Sequence, residues 1–240
     1  EIAPPEMVTL PHLTDPDGRL TGSFANVFNC LNEPGGISTT QMAMGQMITI
    51  SLCVLEQTVA PDVDGNYLSV QVPEDMGDPN DPFSEVQMYY HVNRVHDYFK
   101  DTIGTTTMDR PLRALVNVQG GLNMGGITSW IAIDNAAFIP KESLEQLADM
   151  VSVELPFDED VMLFGQGSDI DFAYDGDVVY HEYTHAVVGG DRLWASRADT
   201  WGVDVAPLSL NEALADYFPA TFTDDPVTGR WSLGKLDAAR

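Results

Sequence analysis

His181-Glu182-Tyr183-Thr184-His185 decides how this chain is read. The pattern is H-E-x-x-H, in which two imidazoles and a carboxylate build a zinc-hydrolase centre. Four residues of α-helix advance the chain by about 400°, so His181 and His185 stack on one face roughly one turn apart. Two neutral imidazole nitrogens can then converge on a single Zn²⁺ at about 2.0–2.1 Å each. Glu182 stands beside that face, near enough to reach a metal-bound water without being forced to ligate. The flanks predict the helix: Asp175 or Asp177 can cap its start, Val178, Val179, Ala186, Val187 and Val188 supply apolar surface, and Gly189-Gly190 ends it.

Zinc at a catalytic site takes a third protein ligand and leaves the fourth position open. Leu208-Ser209-Leu210-Asn211-Glu212-Ala213-Leu214-Ala215-Asp216-Tyr217 reads as the start of a second helix. Glu212 and Asp216 are four apart on one face. Glu212 can therefore bind the metal while Asp216 accepts a hydrogen bond from the distal nitrogen of a ligand histidine and fixes its tautomer. Ser209-x-x-Glu212 is also a capping box, in which the glutamate would only satisfy the helix start. With His181 and His185 already paired, the ligand reading is the stronger.

H-E-Y-T-H followed by N-E-A-L-A-D resembles the gluzincin metallopeptidases, specifically the thermolysin-like and fungalysin-like families. Asn135-Ala136-Ala137-Phe138, after the strand-like Trp130-Ile131-Ala132-Ile133, is similar to the edge segment that binds substrate backbone in those enzymes. Met162-Leu163-Phe164-Gly165-Gln166-Gly167 resembles the hairpin before their zinc helix. Val95-His96-Asp97-Tyr98-Phe99-Lys100 resembles a turn of their long N-terminal helix, and Trp231-Ser232-Leu233-Gly234 the segment after the ligand-Glu helix. The resemblance covers about residues 83–240; residues 1–80 match no family pattern.

It implies a secreted zinc metalloendopeptidase that cuts internal peptide bonds. Glu182 would be the general base, His181, His185 and Glu212 the metal ligands, and Asp216 the partner of a ligand. Asn135 and Ala136 would hold a protein or peptide substrate as an added strand, with Val178 lining an apolar pocket. The chain also departs from the pattern. Residues 186–211 between the second His and the Glu form a spacer longer than in thermolysin-like chains, nearer the fungalysin-like length, and contain no Tyr. No His follows His185, so the helical lobe that brings an oxyanion donor is expected from a missing C-terminal lobe or a partner chain. Asp169, Asp171, Asp175 and Asp177 crowd the approach to the zinc helix, and Asp224-Asp225 follow the Glu212 helix. In the resembled enzymes comparable carboxylates hold Ca²⁺; helix capping explains some of them equally well.

Composition bounds the alternatives. At 44% hydrophobic and 20% charged, these 240 residues have a globular make-up. With 37 acidic against 11 basic residues and a net charge of −26, the surface repels nucleic-acid phosphate, which excludes nucleic-acid partners. No apolar run reaches the roughly 18 residues of a membrane span. The start at Glu1-Ile2-Ala3-Pro4-Pro5 fits a mature chain after processing or an artificial boundary. Cys30 and Cys53 fit one disulfide in a secreted protein, or two buried thiols.

The expected fold is α+β: a β-rich N-terminal region over 1–82, then a thermolysin-like mixed sheet with zinc-binding helices over 83–240. Residues 19–28 and 47–55 read as strands, with Asp17-Gly18 and Asp64-Gly65 as turns. Pro73–Pro82, with its prolines and acidic residues, is the clearest break. A long helix is expected from Ser84 as its cap, with Met88, Val92, Val95 and Phe99 on one stripe. His91 and His96 on that helix are five apart, not a facing pair, and read as packing or surface residues.

Overall fold

The apolar run at 47–55 does not stay in one strand. The computed structural model describes residues 6–33, 35–43, 46–74, 77–189, 193, 197–200 and 202–233, and there the run forms two strands broken at Leu52-Cys53. The first is β3 (Gln46–Ser51) and the second β4 (Val54–Glu56); before them come β1 (Ala25–Leu31) and β2 (Ser38–Ala43). The break has a cause: the Cys53 sulfur is bonded to Cys30 of β1, and β4 then turns back antiparallel to β1. Gly190, Asp75, Met76 and Gly234, named above in the zinc-helix end, the Pro-rich break and the last similar segment, lie outside the described residues.

The other elements follow in chain order. Helix α1 (Phe83–Asp97) passes into a π-helical turn, Tyr98–Ile103; then come β5 (Leu112–Val118), β6 (Gly120–Met124), β7 (Ile127–Ile131), β8 (Ala136–Ile139), α2 (Lys141–Val151) and β9 (Val161–Gly165). A 3-10 turn, Phe172–Tyr174, leads into α3 (Gly176–Val188). The short pair β10 (Arg197–Asp199) and β11 (Gly202–Asp204) precedes α4 (Ala206–Thr223). The architecture is α+β.

One five-stranded mixed sheet, ordered β4-β1-β5-β9-β8, carries the molecule. β1, β5 and β9 run parallel, while β4 and β8 close the edges antiparallel. β1 pairs with β5 from Ala25 opposite Leu112 onward, so strand hydrogen bonding joins the region expected at 1–82 to the one expected at 83–240. Alternation sorts the side chains. Val27, Ala114, Val116, Met162 and Phe164 face a large core shared with Met88, Val92, Val95 and Phe99 of the α1 stripe and with Val179 and Tyr183 of α3. Cys30, Leu115 and Val161 face a smaller core with Leu144 of α2. Asn117, at φ 57°, forms the irregularity in β5 that lets Leu115 and Val118 share that face although they are three apart.

A second, antiparallel sheet, β2-β3-β6-β7, has two unlike faces. Hydrogen-bonded Thr40–Thr49 and Asn123–Thr128 pairs mark one, at 2.8 and 2.7 Å. The partnered positions Ile48–Met124, Ile50–Leu122 and Met124–Ile127 mark the other.

Two helix starts differ from expectation. Ser84 does not cap α1. Asp81 accepts from the Phe83 N–H at 2.7 Å, and the Ser84 hydroxyl points inward, donating to the Asp81 carbonyl at 2.9 Å. Helix α4 begins three residues before Ser209, with Val205 at its cap position and a proline in its first turn. Ser209 is therefore inside the helix, and Glu212 is not spent in a capping box. The turns fall as expected: Gly18 and Gly65 sit at φ 69° and 80°, and Asp62 Oδ1 accepts from the Asp64 and Asn66 N–H groups, both at 2.9 Å.

Candidate metal centre

Helix α3 is made by its own sequence and aimed by its surroundings. Asp175 caps it, accepting from the Asp177 N–H at 3.1 Å, and Gly189 at φ 86° ends it. Asp175 also accepts from the backbone N–H and hydroxyl of Ser232, at 2.9 and 2.8 Å, which ties the helix start to the segment after α4. Val179 and Tyr183 go into the core, which leaves His181 and His185 directed at α4. Because α4 packs along α3, Glu212 arrives opposite the histidine pair.

The three ligand atoms form a small triangle. His181 Nε2 and His185 Nε2 are 3.1 Å apart, and Glu212 Oε2 is 3.4 Å from the first and 3.6 Å from the second. Neighbouring ligands of a tetrahedral ion with bonds of about 2.0–2.2 Å are separated by roughly 3.3–3.6 Å. Two edges of the triangle fall in that range and the His181–His185 edge is about 0.2 Å short of it. Among the described residues it is the group of three or more His, Cys, Asp or Glu close enough together to hold a metal.

The distal nitrogens fit as well. His181 Nδ1 lies 3.0 Å from Asp216 Oδ1, and His185 Nδ1 lies 3.0 Å from Asn211 Oδ1. Each acceptor takes the Nδ1–H, which leaves an Nε2 lone pair facing the centre of the triangle. Asp216 is thus where the sequence spacing put it. Asn211 is a residue that the sequence reading passed over. Its signal was available: every ligand histidine needs an acceptor for its other nitrogen, and Asn211 is the amide next to Glu212 on the same helix.

Glu182 is nearly buried, at 7% exposed, and accepts from the Phe138 N–H of β8 at 2.7 Å. Burial pushes its carboxyl above the usual glutamate range, against the pull of His181, His185 and that N–H. β8 is an edge strand of the five-stranded sheet, so one backbone group of an edge strand orients the carboxylate beside the metal ligands. The Phe138 contact had no signature in the sequence.

No protein-family model matches this chain, and no curated protein matches it.

A cleft of about 510 Å³ opens on the triangle, lined among others by Asn135, Ala136, Val178, His181, Glu182 and Asp216. All three residues expected to bind substrate thus meet in one cleft with His181, Glu182 and Asp216. Phe172 and Val227 line it too, as does Leu233, from the segment that the resemblance placed after the Glu212 helix. Of the carboxylates before α3, Asp171 and Asp175 accept local hydrogen bonds. Asp171 Oδ1 accepts from the Ala173 N–H at 2.8 Å, and both oxygens of Asp175 are engaged as described. Asp177 is pushed up to about 6 by burial and by the charges of Asp175 and Asp225. The histidines of α1 stay outside the centre, as their spacing predicted. His91 Nδ1 lies 2.7 Å from the Tyr180 hydroxyl, while His96 contacts Asp97 and Asp109 at 3.0 and 2.9 Å.

Proposed function

We propose that this chain is the zinc-binding region of a secreted metalloendopeptidase of the gluzincin type, with a thermolysin-like arrangement of its mixed sheet and zinc helices. The observation that carries the proposal is the His181–His185–Glu212 triangle with Glu182 beside it and each histidine's distal nitrogen on an acceptor. When bound, Zn²⁺ supplies Lewis-acid chemistry that acidifies water and polarises a carbonyl.

The chain's own groups do the rest. Glu182 accepts a proton from the attacking water and returns it to the leaving nitrogen. Its burial favours that shuttle, since a raised carboxyl holds a proton more readily than a solvated one. Asn135 and Ala136, at the entry of edge strand β8, hold an extended peptide by backbone pairing. Val178, Phe172 and Val227 give the cleft an apolar side. The Cys30–Cys53 disulfide supports an oxidising, extracellular setting. No helix among the described residues is long and apolar enough to cross a membrane.

A helical lobe or a partner chain completes the cleft in this reading. Two observations favour it. Leu210 and Tyr217 stand 51% and 59% exposed on the helix that carries Glu212. Apart from the ligand histidine, no Tyr, His or Arg is among the described residues lining the cleft, so none of these brings an oxyanion donor of those types. The same gap favours a second reading, in which the zinc only braces the fold or serves hydrolysis of something other than protein.

Digestion of casein or a peptide library by the zinc-loaded protein separates these readings. Cleavage at internal bonds that falls by orders of magnitude in Glu182→Gln, with zinc retained, is expected. Undiminished cleavage in that variant removes Glu182 as the base, and zinc binding without cleavage of any peptide favours the second reading.

A further inference from the structure

Behind the entrance to α3 the fold buries three acidic side chains without a cation. Glu85, Asp81 and Asp171 are 0%, 2% and 0% exposed. Two of the three are satisfied. Glu85 accepts from the Thr58 N–H, the Thr58 hydroxyl and the Val59 N–H. Asp81 accepts from the Phe83 N–H and the Tyr174 hydroxyl. Asp171 is different: Oδ1 takes the Ala173 N–H, and Oδ2 has no partner.

A second orphaned oxygen belongs to Asn117, which is fully buried in the β5 irregularity. Its amide nitrogen donates to Asn29 Oδ1, the Asp81 carbonyl and the Ser84 hydroxyl, at 3.0, 2.9 and 3.0 Å, and its Oδ1 accepts from nothing. Ser84 is common ground, since its hydroxyl also acts on Asp171. Two buried acceptors therefore sit around one serine whose single hydroxyl hydrogen is already directed at the Asp81 carbonyl. Leaving either unmet forfeits its hydration with nothing in return, and an unpaired buried charge costs more than an unpaired neutral group. A metal is a poor remedy, because Ca²⁺ takes about six to eight oxygens and only two are free here. One proton removes the charge and supplies the missing donor.

We propose that Asp171 folds as a neutral carboxylic acid whose proton serves the orphaned Asn117 acceptor, so that rising pH places a charge in the core directly before the zinc helix. The surroundings agree. Burial pushes Asp171 up to about 8, and the Asp81 charge adds to this, against the Ala173 N–H and the Ser84 hydroxyl. The groups acting on it are Asp81, Ser84 and the Ala173 N–H, with Asn117 on the same Ser84 hydroxyl and Tyr174 and, through Asn29, Glu85 close by; none of these is a cation. Gln166 pairs with Asp171 along the backbone.

The sign follows from where the proton is held. An unfolded aspartate ionises near about 3.9, whereas the folded one keeps its proton to about 8. Through that window the folded state binds more protons, so stability falls as pH rises, by roughly tenfold in the folding constant per pH unit. Above it both states are ionised and the loss is constant. The turn it weakens, Phe172–Tyr174, carries Phe172 into the cleft, so alkaline loosening reaches the site.

Asp171→Asn tests this, because an amide N–H can replace the acid's proton. Denaturation of wild type and Asp171→Asn from about pH 5 to about pH 8 should show wild type losing stability relative to the variant by about tenfold per pH unit. Parallel profiles would overturn the proposal. If Asp171→Asn does not fold, infrared titration of wild type decides: a protonated-carboxyl band that persists at neutral pH, survives Glu182→Gln and titrates at a different pH in Asn117→Gly is expected. An ionised carboxylate throughout, with no such band, overturns it.

Discussion

Helices α1 and α3 pack against each other, and each carries two histidines, yet only one pair builds a site. On α3 the spacing of four puts both Nε2 atoms 3.1 Å apart, with their Nδ1 atoms handed to Asp216 and Asn211. On α1 the spacing of five sends the rings apart. His91 turns inward to the Tyr180 hydroxyl, where burial and the Arg94 charge push it down to about 3 and keep it neutral. His96 is 2% exposed, stacks on Phe24 with ring centres 3.5 Å apart, and spends both nitrogens on carboxylates. One residue of spacing separates a metal centre from packing. What differs is not histidine content but which nitrogens turn towards a common point once the helices have packed.

Removing a ligand should break the comparison most severely. His185→Ala or Glu212→Gln should abolish stoichiometric zinc binding in an equilibrium titration, while His96→Gln leaves it intact. Loss of zinc in the α1 variant would mean that the two pairs are coupled. Next in size are the acceptors behind the ligands: Asp216→Ala and Asn211→Ala should each weaken zinc by about 10–100-fold, read by competition with a chelator. An unmoved affinity for either would assign it a different task.

The smallest effect belongs to the packing side. Tyr180→Phe removes the hydroxyl that lies against His91 and accepts from Arg94 at 3.3 Å, and should cost about 1–3 kcal/mol in denaturation with zinc affinity unchanged. A shift in affinity there would show that the packed face of α3 sets the geometry of the metal face.

How much could be read in advance follows the same division. The ligands, Glu182 and Asp216 were legible because helical periodicity turns sequence spacing directly into facing side chains. The α1 stripe of Met88, Val92, Val95 and Phe99 was legible for that reason too. Strand partners were not. Nothing in Ala25–Leu31 announces that it will lie parallel beside Leu112–Val118, since a buried strand's apolar run does not name its neighbour. The Gly-rich β6 offered no period to read, whereas α2 was passed over although Leu144, Leu147 and Val151 recur at helical spacing. Asn117 could not be foreseen at φ 57°, nor Asp171 as an orphan, because both depend on what packing withholds from them. Ser84 was misread because it lies inside a helix that starts earlier than its serine implies.

The most direct test of the metal centre is zinc stoichiometry, measured by titration of metal-free protein and by anomalous scattering from crystals grown with zinc. One ion per chain, at bonding distance from His181, His185 and Glu212, is the predicted result. A saturating titration with no bound ion, or an ion held elsewhere while these three side chains keep their 3.1–3.6 Å triangle empty, would contradict the account.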